Sequence, residues 1–159
     1  IIGEGQLKDK LINMVNDLGL KSNVEFINNI PNEEIGNYYR ACDLFLFASK
    51  SETQGIVLIE AMAARNPVVA IKATGVVDII ENNINGYMTS ESVEEWSDKI
   101  KYLMNNENEL KRMKIGAYNT ALNYLNTKIA KIAEDGYKKV IIRYSEENYE
   151  YSNKAYLNK

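Results

Sequence analysis

The sequence predicts an α/β fold: a three-layer α/β/α domain on a doubly wound parallel sheet, followed by C-terminal helices. Three observations predict it. The runs 44–48 (Leu-Phe-Leu-Phe-Ala) and 67–71 (Pro-Val-Val-Ala-Ile) are apolar throughout, the mark of strands buried on both faces of a parallel sheet. Amphipathic segments alternate with such runs through the first half, as βαβ units require. The second half carries helical periodicity alone.

The elements follow in order. Ile1-Ile2 reads as the end of a strand cut within an apolar run, so the natural protein is expected to extend upstream. Gly3 and Gly5 make a turn. Leu7, Leu11, Met14, Val15 and Leu18 recur at helical spacing, and Gly19 closes that helix. Val24–Ile27 reads as a second strand. Pro31-Asn32 opens a helix with Asn32 as N-cap and Glu33 and Glu34 in the first turn, where the macrodipole favours acids. Its apolar face is Ile35, Tyr38, Tyr39 and Cys42. Residues 56–64 form a buried helix, Asn85-Gly86 a turn, and Gly86–Met88 a short strand. Ser92 with Glu95 fits a capping box for a helix carrying Val93, Trp96, Ile100, Leu103 and Met104. Leu110, Met113, Ala117, Ala121 and Leu125 define the next helix, and Ile129, Ile132, Gly136 and Val140 the last. These stripes are expected to face the core. One domain spans residues 1–144, and 145–159 is a polar, tyrosine-rich tail, either frayed or docked on something else.

Composition narrows the chemistry. At 159 residues with 45% apolar and 26% charged side chains, the chain suits one globular domain. A net charge of −3 gives no broad attraction to nucleic acid or anionic lipid. No stretch reaches the roughly 18–20 apolar residues of a membrane span. The single cysteine, Cys42, excludes an internal disulfide and is expected to be a buried, inert thiol. With no histidine, neither a Ser-His nor a Cys-His catalytic pair can form within the chain, and a metal would have to be held by carboxylates.

The chemistry concentrates in 49–67. The loop 49–55 follows a strand of the predicted sheet, on the side where ligands of such folds collect. Glu60 is the only charge between Gly55 and Ala64, and its neighbours three and four positions away, Ile56, Val57, Ala63 and Ala64, are apolar. A carboxylate buried there needs a partner, such as backbone N–H groups, a cation or ligand hydroxyls; otherwise the helix simply surfaces at that point. Glu52 sits just before the helix, where it could equally be a plain macrodipole carboxylate. Gly55 would let a ligand approach the backbone, and the N–H groups of Gly55, Ile56 and Val57 would open onto an anion or a sugar oxygen.

Glu52-Thr-Gln-Gly-Ile-Val-Leu-Ile-Glu60-Ala-Met-Ala-Ala resembles the Glu-x7-Glu signature of retaining GT-B-fold glycosyltransferases, the bacterial glycosyl transferases of group 1, family 4 type. Gly3-Glu4-Gly5, Val24-Glu25-Phe26 with Asn28-Asn29-Ile30, Tyr39–Leu44, Pro67–Ala70, Thr74–Ile80 and Asn85-Gly86-Tyr87 match in the same order, covering about residues 1–140. The resemblance implies a Rossmann-like C-terminal domain that binds a nucleotide-sugar. Glu60 would bind the ribose hydroxyls and Glu52, the catalytic residue, hydroxyls of the transferred sugar. The N–H groups of Gln54, Gly55 and Ile56 would hold the sugar, and those of Val57 and Leu58 the diphosphate. Ile27 and Asn28 would lie near the base. No metal or other cofactor is implied. The partners would be the protein's own N-terminal acceptor domain and a glycan or lipid acceptor, and the location cytoplasmic, at the inner face of the membrane. The sequence departs from the family at Asn28 or Asn29 and at Arg65 (commonly Gly), at Ala48 (usually Pro) and at Gln54 (commonly Phe); Asn66 could still supply a left-handed turn. The family's diphosphate-gripping Arg and Lys would lie upstream of Ile1. Lys50 and Lys72 are loop cations near the implied phosphate site, or simply solvated. The alternatives are a non-catalytic nucleotide-sugar-binding module and a GT-B-fold epimerase or hydrolase. A dinucleotide-dependent oxidoreductase fits poorly, because Gly3-Glu4-Gly5 lacks the third glycine of that fingerprint.

Overall fold

A computed structural model of the chain describes residues 1–157, with side chains described to residue 145. The elements run α1 (Lys8–Asp17), α2 (Asn32–Ala41), β1 (Phe45–Phe47), α3 (Ile56–Ala63), β2 (Val68–Ile71), α4 (Thr74–Val77), β3 (Gly86–Thr89), α5 (Val93–Met104), α6 (Glu107–Ala121), a 3₁₀ turn (Leu122–Tyr124) and α7 (Asn126–Leu157).

The three strands form a parallel sheet in the order β1-β2-β3, with Phe45 opposite Val68 and Val68 opposite Gly86. Side chains alternate across a strand, so β2 feeds two cores. Val68 and Ala70 join Leu58 and Met62 of α3, Val76, Ile79 and Ile80, and Ala117 and Ala121 of α6. Val69 points the other way, to Tyr87, Leu103 and Met113, with Trp96 and Ile100 of α5 packed behind. Helices therefore cover both sheet faces, which is the α/β layering the sequence predicts. Close backbone approach needs glycine at Gly86, where a Cβ would lie 2.0 Å from the Val68 carbonyl oxygen.

Several local expectations change. β1 is an edge strand: Phe45 and Phe47 are half-buried and Leu46 is 44% exposed, so an all-apolar run is not buried on both faces here. Val24–Ile27 is not a strand but a single parallel bridge, Ile27 to Ile2, closed by Gly3 N–H to Ile27 O at 3.0 Å and Ile27 N–H to Ile1 O at 2.8 Å. The apolar stripes of α1 (Leu7, Leu11, Met14, Leu18) and α7 (Ile129, Ile132, Val140) are exposed instead of facing the core. Amphipathic spacing reports a face that can be covered; it does not supply the cover. Cys42 is likewise exposed, because α2 ends at Ala41 and Cys42 turns to extended backbone. The expected tail lies, from residue 146 onward, outside the residues whose side chains are described, although the backbone of α7 runs to Leu157.

Helix ends follow capping chemistry. Gly19 is left-handed after α1, with Gly19 N–H to Asn16 O and Leu20 N–H to Val15 O, a complete Schellman motif. The same motif ends α3 through Arg65 N–H to Met62 O and Asn66 N–H to Ala61 O. Arg65 itself takes the left-handed conformation (φ 68°), not Asn66, and its guanidinium lies 4.8 Å from the centre of the Tyr118 ring. Pro31, not Asn32, occupies the N-cap of α2. Ser92 caps α5 by accepting from Glu95 N–H, while the Glu95 carboxylate accepts from Ser90 N–H, two residues earlier than a capping box requires.

Candidate donor-binding site

The loop after β1 is tied down by its own carboxylate. Glu52 Oε1 accepts the N–H groups of Gly55 at 2.7 Å, Gln54 at 2.9 Å and Thr53 at 3.1 Å. These bonds, Gly55 first and then Gln54, hold the Glu52 carboxyl below its usual range. The backbone then turns through Gly55 at φ +67° into α3. On the Cβ side, Gly55 is approached closely by protein: a Cβ there would sit 2.1 Å from Ile79 Cδ1 and 2.5 Å from Gly75 O. A Cβ on Gly75 would in turn lie 2.8 Å from Glu52 O, and Gly75 N–H donates to that oxygen at 3.0 Å. Two facing glycines thus let the start of α4 lock the loop that precedes α3.

This arrangement redistributes the expected donors. The N–H groups of Gln54 and Gly55 are already engaged by Glu52, and Leu58 N–H donates to Gly55 O at 3.0 Å. Leu58's side chain lies fully in the core. Among the described residues the N–H groups of Ile56 and Val57 have no acceptor, and they open at the positive end of the helix dipole.

Ile56 and Glu60 are four residues apart on one helix face, and both are exposed. Glu60 is thus not buried in the apolar face; α3 surfaces there. Its carboxylate Oε2 accepts the Tyr39 hydroxyl of α2 at 3.2 Å. Tyr39 is half-buried, edge-on to Phe45 with ring centres 5.6 Å apart, and its phenol is pushed up to about 12 by burial first, then by the Glu60 charge and hydrogen bond. Between α2 and α3 opens a cavity of about 360 Å³ lined by residues including Asn32, Glu33, Gly36, Tyr39, Arg40 and Glu60. That lies within the ~300–1,000 Å³ of small-molecule sites.

Ile27 and Asn28 lie at the carboxyl end of the Ile2–Ile27 bridge, on the loop that leads into α2 and this cavity. Asn28 is exposed and its Oδ1 accepts from Lys8 Nζ. Lys50 pairs with Glu91 at 3.0 Å across the surface, and Lys72 is exposed. Tyr39 was legible in the sequence only as one member of α2's apolar stripe. The signal that marks it is a phenol on the stripe facing the helix that holds a solitary carboxylate. Among the described residues no three carboxylates or thiols gather into a metal-holding group, and no helix is long and apolar enough to cross a membrane.

Residues 1–120 match the family model described as glycosyl transferases group 1. The chain is 36% identical over 111 residues to poly(ribitol-phosphate) alpha-N-acetylglucosaminyltransferase of Staphylococcus aureus (strain COL), covering 67% of this chain and 22% of that protein. It superposes on the C-terminal domain of the group 1 glycosyl transferase LpcC of Francisella tularensis with a TM-score of 0.68 and 30% identity, over 77% of this chain and 63% of that one. On Anabaena HepE, solved with UDP and glucose, the TM-score is 0.71 at 26% identity, over 84% of this chain and 39% of that one. The chain spans about a quarter of the length of the curated relatives it matches. The α/β layering, the Glu52–Glu60 segment at the sheet's carboxyl end and these matches lead to one assignment: the chain belongs to the glycosyl transferases group 1 family, as its Rossmann-like C-terminal GT-B domain.

Proposed function

We propose that this domain is the donor-binding half of a retaining glycosyltransferase that moves a hexose from a UDP-sugar to a glycan or lipid acceptor. The observation that carries the reading is the outer face of α3. It begins with two acceptor-free N–H groups, at Ile56 and Val57, and runs through Ile56 to the Glu60 carboxylate beside the 360 Å³ cavity. A nucleoside diphosphate has complementary groups in the same order: anionic oxygens, then a ribose diol, then a base.

In this reading the diphosphate meets Ile56 and Val57, and the α3 dipole stabilises the leaving group as the glycosidic bond breaks. Glu60 accepts from the ribose hydroxyls. The base lies by Ile27, Asn28 and Asn32. Glu52 contacts the transferred sugar with the carboxylate oxygen that its loop leaves available, while Oε1 keeps the loop rigid. Gln54 and Gly55 then shape the sugar site through that rigidity, and Leu58 anchors α3 in the core. The UDP and glucose bound in Anabaena HepE favour a uridine donor. The acceptor half, and attack from the donor's own face with retention of configuration, belong to the rest of the enzyme, and this domain alone is expected to be inactive. No metal or other cofactor takes part. The same reading puts the enzyme in the cytoplasm, at the inner face of the membrane through its other half.

Calorimetric titration with UDP, GDP and UDP-glucose tests it. UDP-selective binding that weakens at least tenfold in Glu60→Ala is expected, the scale of losing hydrogen bonds to a charged group. Equal binding of UDP by wild type and Glu60→Ala would overturn the site.

A further inference from the structure

Glu60 is exposed, and an exposed glutamate ordinarily samples several rotamers; a ligand that needs one of them bears the ordering cost. Here the carboxylate is not left to sample freely. Tyr39's hydroxyl donates to Oε2 at 3.2 Å from a ring that is itself fixed. The ring packs edge-on to Phe45 of β1, and the Tyr39 carbonyl accepts from Asn66 Nδ2 at 2.6 Å. Asn66 is buried just beyond the end of α3, so both the donor and the acceptor of the Tyr39–Glu60 bond are anchored to the same helix pair. Arg40, the next residue on α2 and a neighbour in the cavity, turns its guanidinium to Asn37 Oδ1.

We propose that Tyr39 is a positioning residue for ribose recognition: it fixes one oxygen of Glu60 so that the carboxylate's remaining lone pairs meet two vicinal hydroxyls. This rests on the donor-binding reading above. A carboxylate is an acceptor only, so its ligand must supply the protons, and a ribose offers two adjacent O–H donors. A 2′-deoxyribose offers one and leaves a fixed acceptor unmet, which is how a built polar site rejects an analogue lacking a hydroxyl. Burial keeps the Tyr39 phenol protonated far above neutral pH, so it remains a donor wherever the enzyme works. Without the tether Glu60 could still reach the diol, but from many rotamers, and the discrimination between the two sugars would shrink.

The test compares UDP-glucose with 2′-deoxy-UDP-glucose in the full natural chain, for wild type, Tyr39→Phe, Glu60→Gln and the double variant. Phenylalanine keeps the ring contact with Phe45, so the unfolding midpoint of Tyr39→Phe should stay within a few degrees of wild type, which a melting curve checks. The preference for ribose is expected to fall about five- to tenfold in Tyr39→Phe. KM for the ribose donor should rise by more than kcat falls. The two single effects should be non-additive in the double variant, since both act through one carboxylate. An unchanged ribose preference in Tyr39→Phe, or strictly additive effects, would overturn the positioning role while leaving the donor site standing. Loss of ribose preference in neither Glu60→Gln nor Tyr39→Phe, with UDP-glucose bound equally by all four proteins, would overturn both readings together.

Discussion

Glu52 and Glu60 stand eight positions apart and are held in opposite ways. Glu60 meets a side chain and faces a cavity; Glu52 turns back on three N–H groups of its own loop. The Glu52 bonds favour its ionised form, so its folded-state carboxyl sits lower than in the unfolded chain. The unfolded chain therefore binds a proton first as pH falls, and the contribution of Glu52 is complete above the usual carboxylate range and lost as pH drops through the lower, folded value. Amide exchange should read this directly. Protection of the Gly55 and Gln54 N–H groups is expected to hold from neutral pH to the usual carboxylate range and to collapse below it. Glu52→Gln should flatten that dependence, and protection that ignores pH in wild type would contradict the bonding.

At the scale of elements, α3 is bounded by two left-handed residues with opposite requirements. Gly55 at its start is pressed against Gly75 O and Ile79. Arg65 at its end is exposed, with its side chain over Tyr118. Gly55→Ala adds both a clash and a strained φ and is expected to cost about 2–3 kcal/mol. Arg65→Gly removes strain but loses the ring contact and loosens the unfolded chain, so it should change stability by less than about 1 kcal/mol. Urea titrations of the two variants measure the contrast. The loop's dependence on Gly75 also links α4 to the α3 N-terminus, so a shift at α4 would move the Ile56 and Val57 donors.

For the whole molecule, stability is concentrated around β2 and its two flanking clusters. Met62 is fully buried there, whereas Ile132 on α7 is 66% exposed. Met62→Ala should cost about 2–5 kcal/mol and Ile132→Ala under about 0.5 kcal/mol in denaturant unfolding. A large cost at Ile132 would mean that α7's apolar face is covered in solution. On α7 Lys131 pairs with Glu134 and Asp135, and Lys138 with Glu134, pairs three and four residues apart that support the helix locally.

By itself the sequence determined the α/β layering, because continuous apolar runs and period-3.6 stripes are local and each records apolar surface to be buried. It also marked the candidate segment, because a solitary carboxylate in an apolar helix and a glycine before it are anomalies of composition that need no coordinates. Only the tertiary structure decided which predicted faces are covered. Leu46, Cys42 and the α1 and α7 stripes look like core in sequence and lie at the surface, since burial depends on what packs opposite. Tertiary contact also decided that Gly55 makes room for Gly75 and Ile79, that Glu52 occupies donors expected for a ligand, and that Tyr39 reaches Glu60 across 21 residues. Each of these joins segments distant along the chain or turns a side chain back on its own loop, and side-chain spacing along one strand or helix carries no information about either.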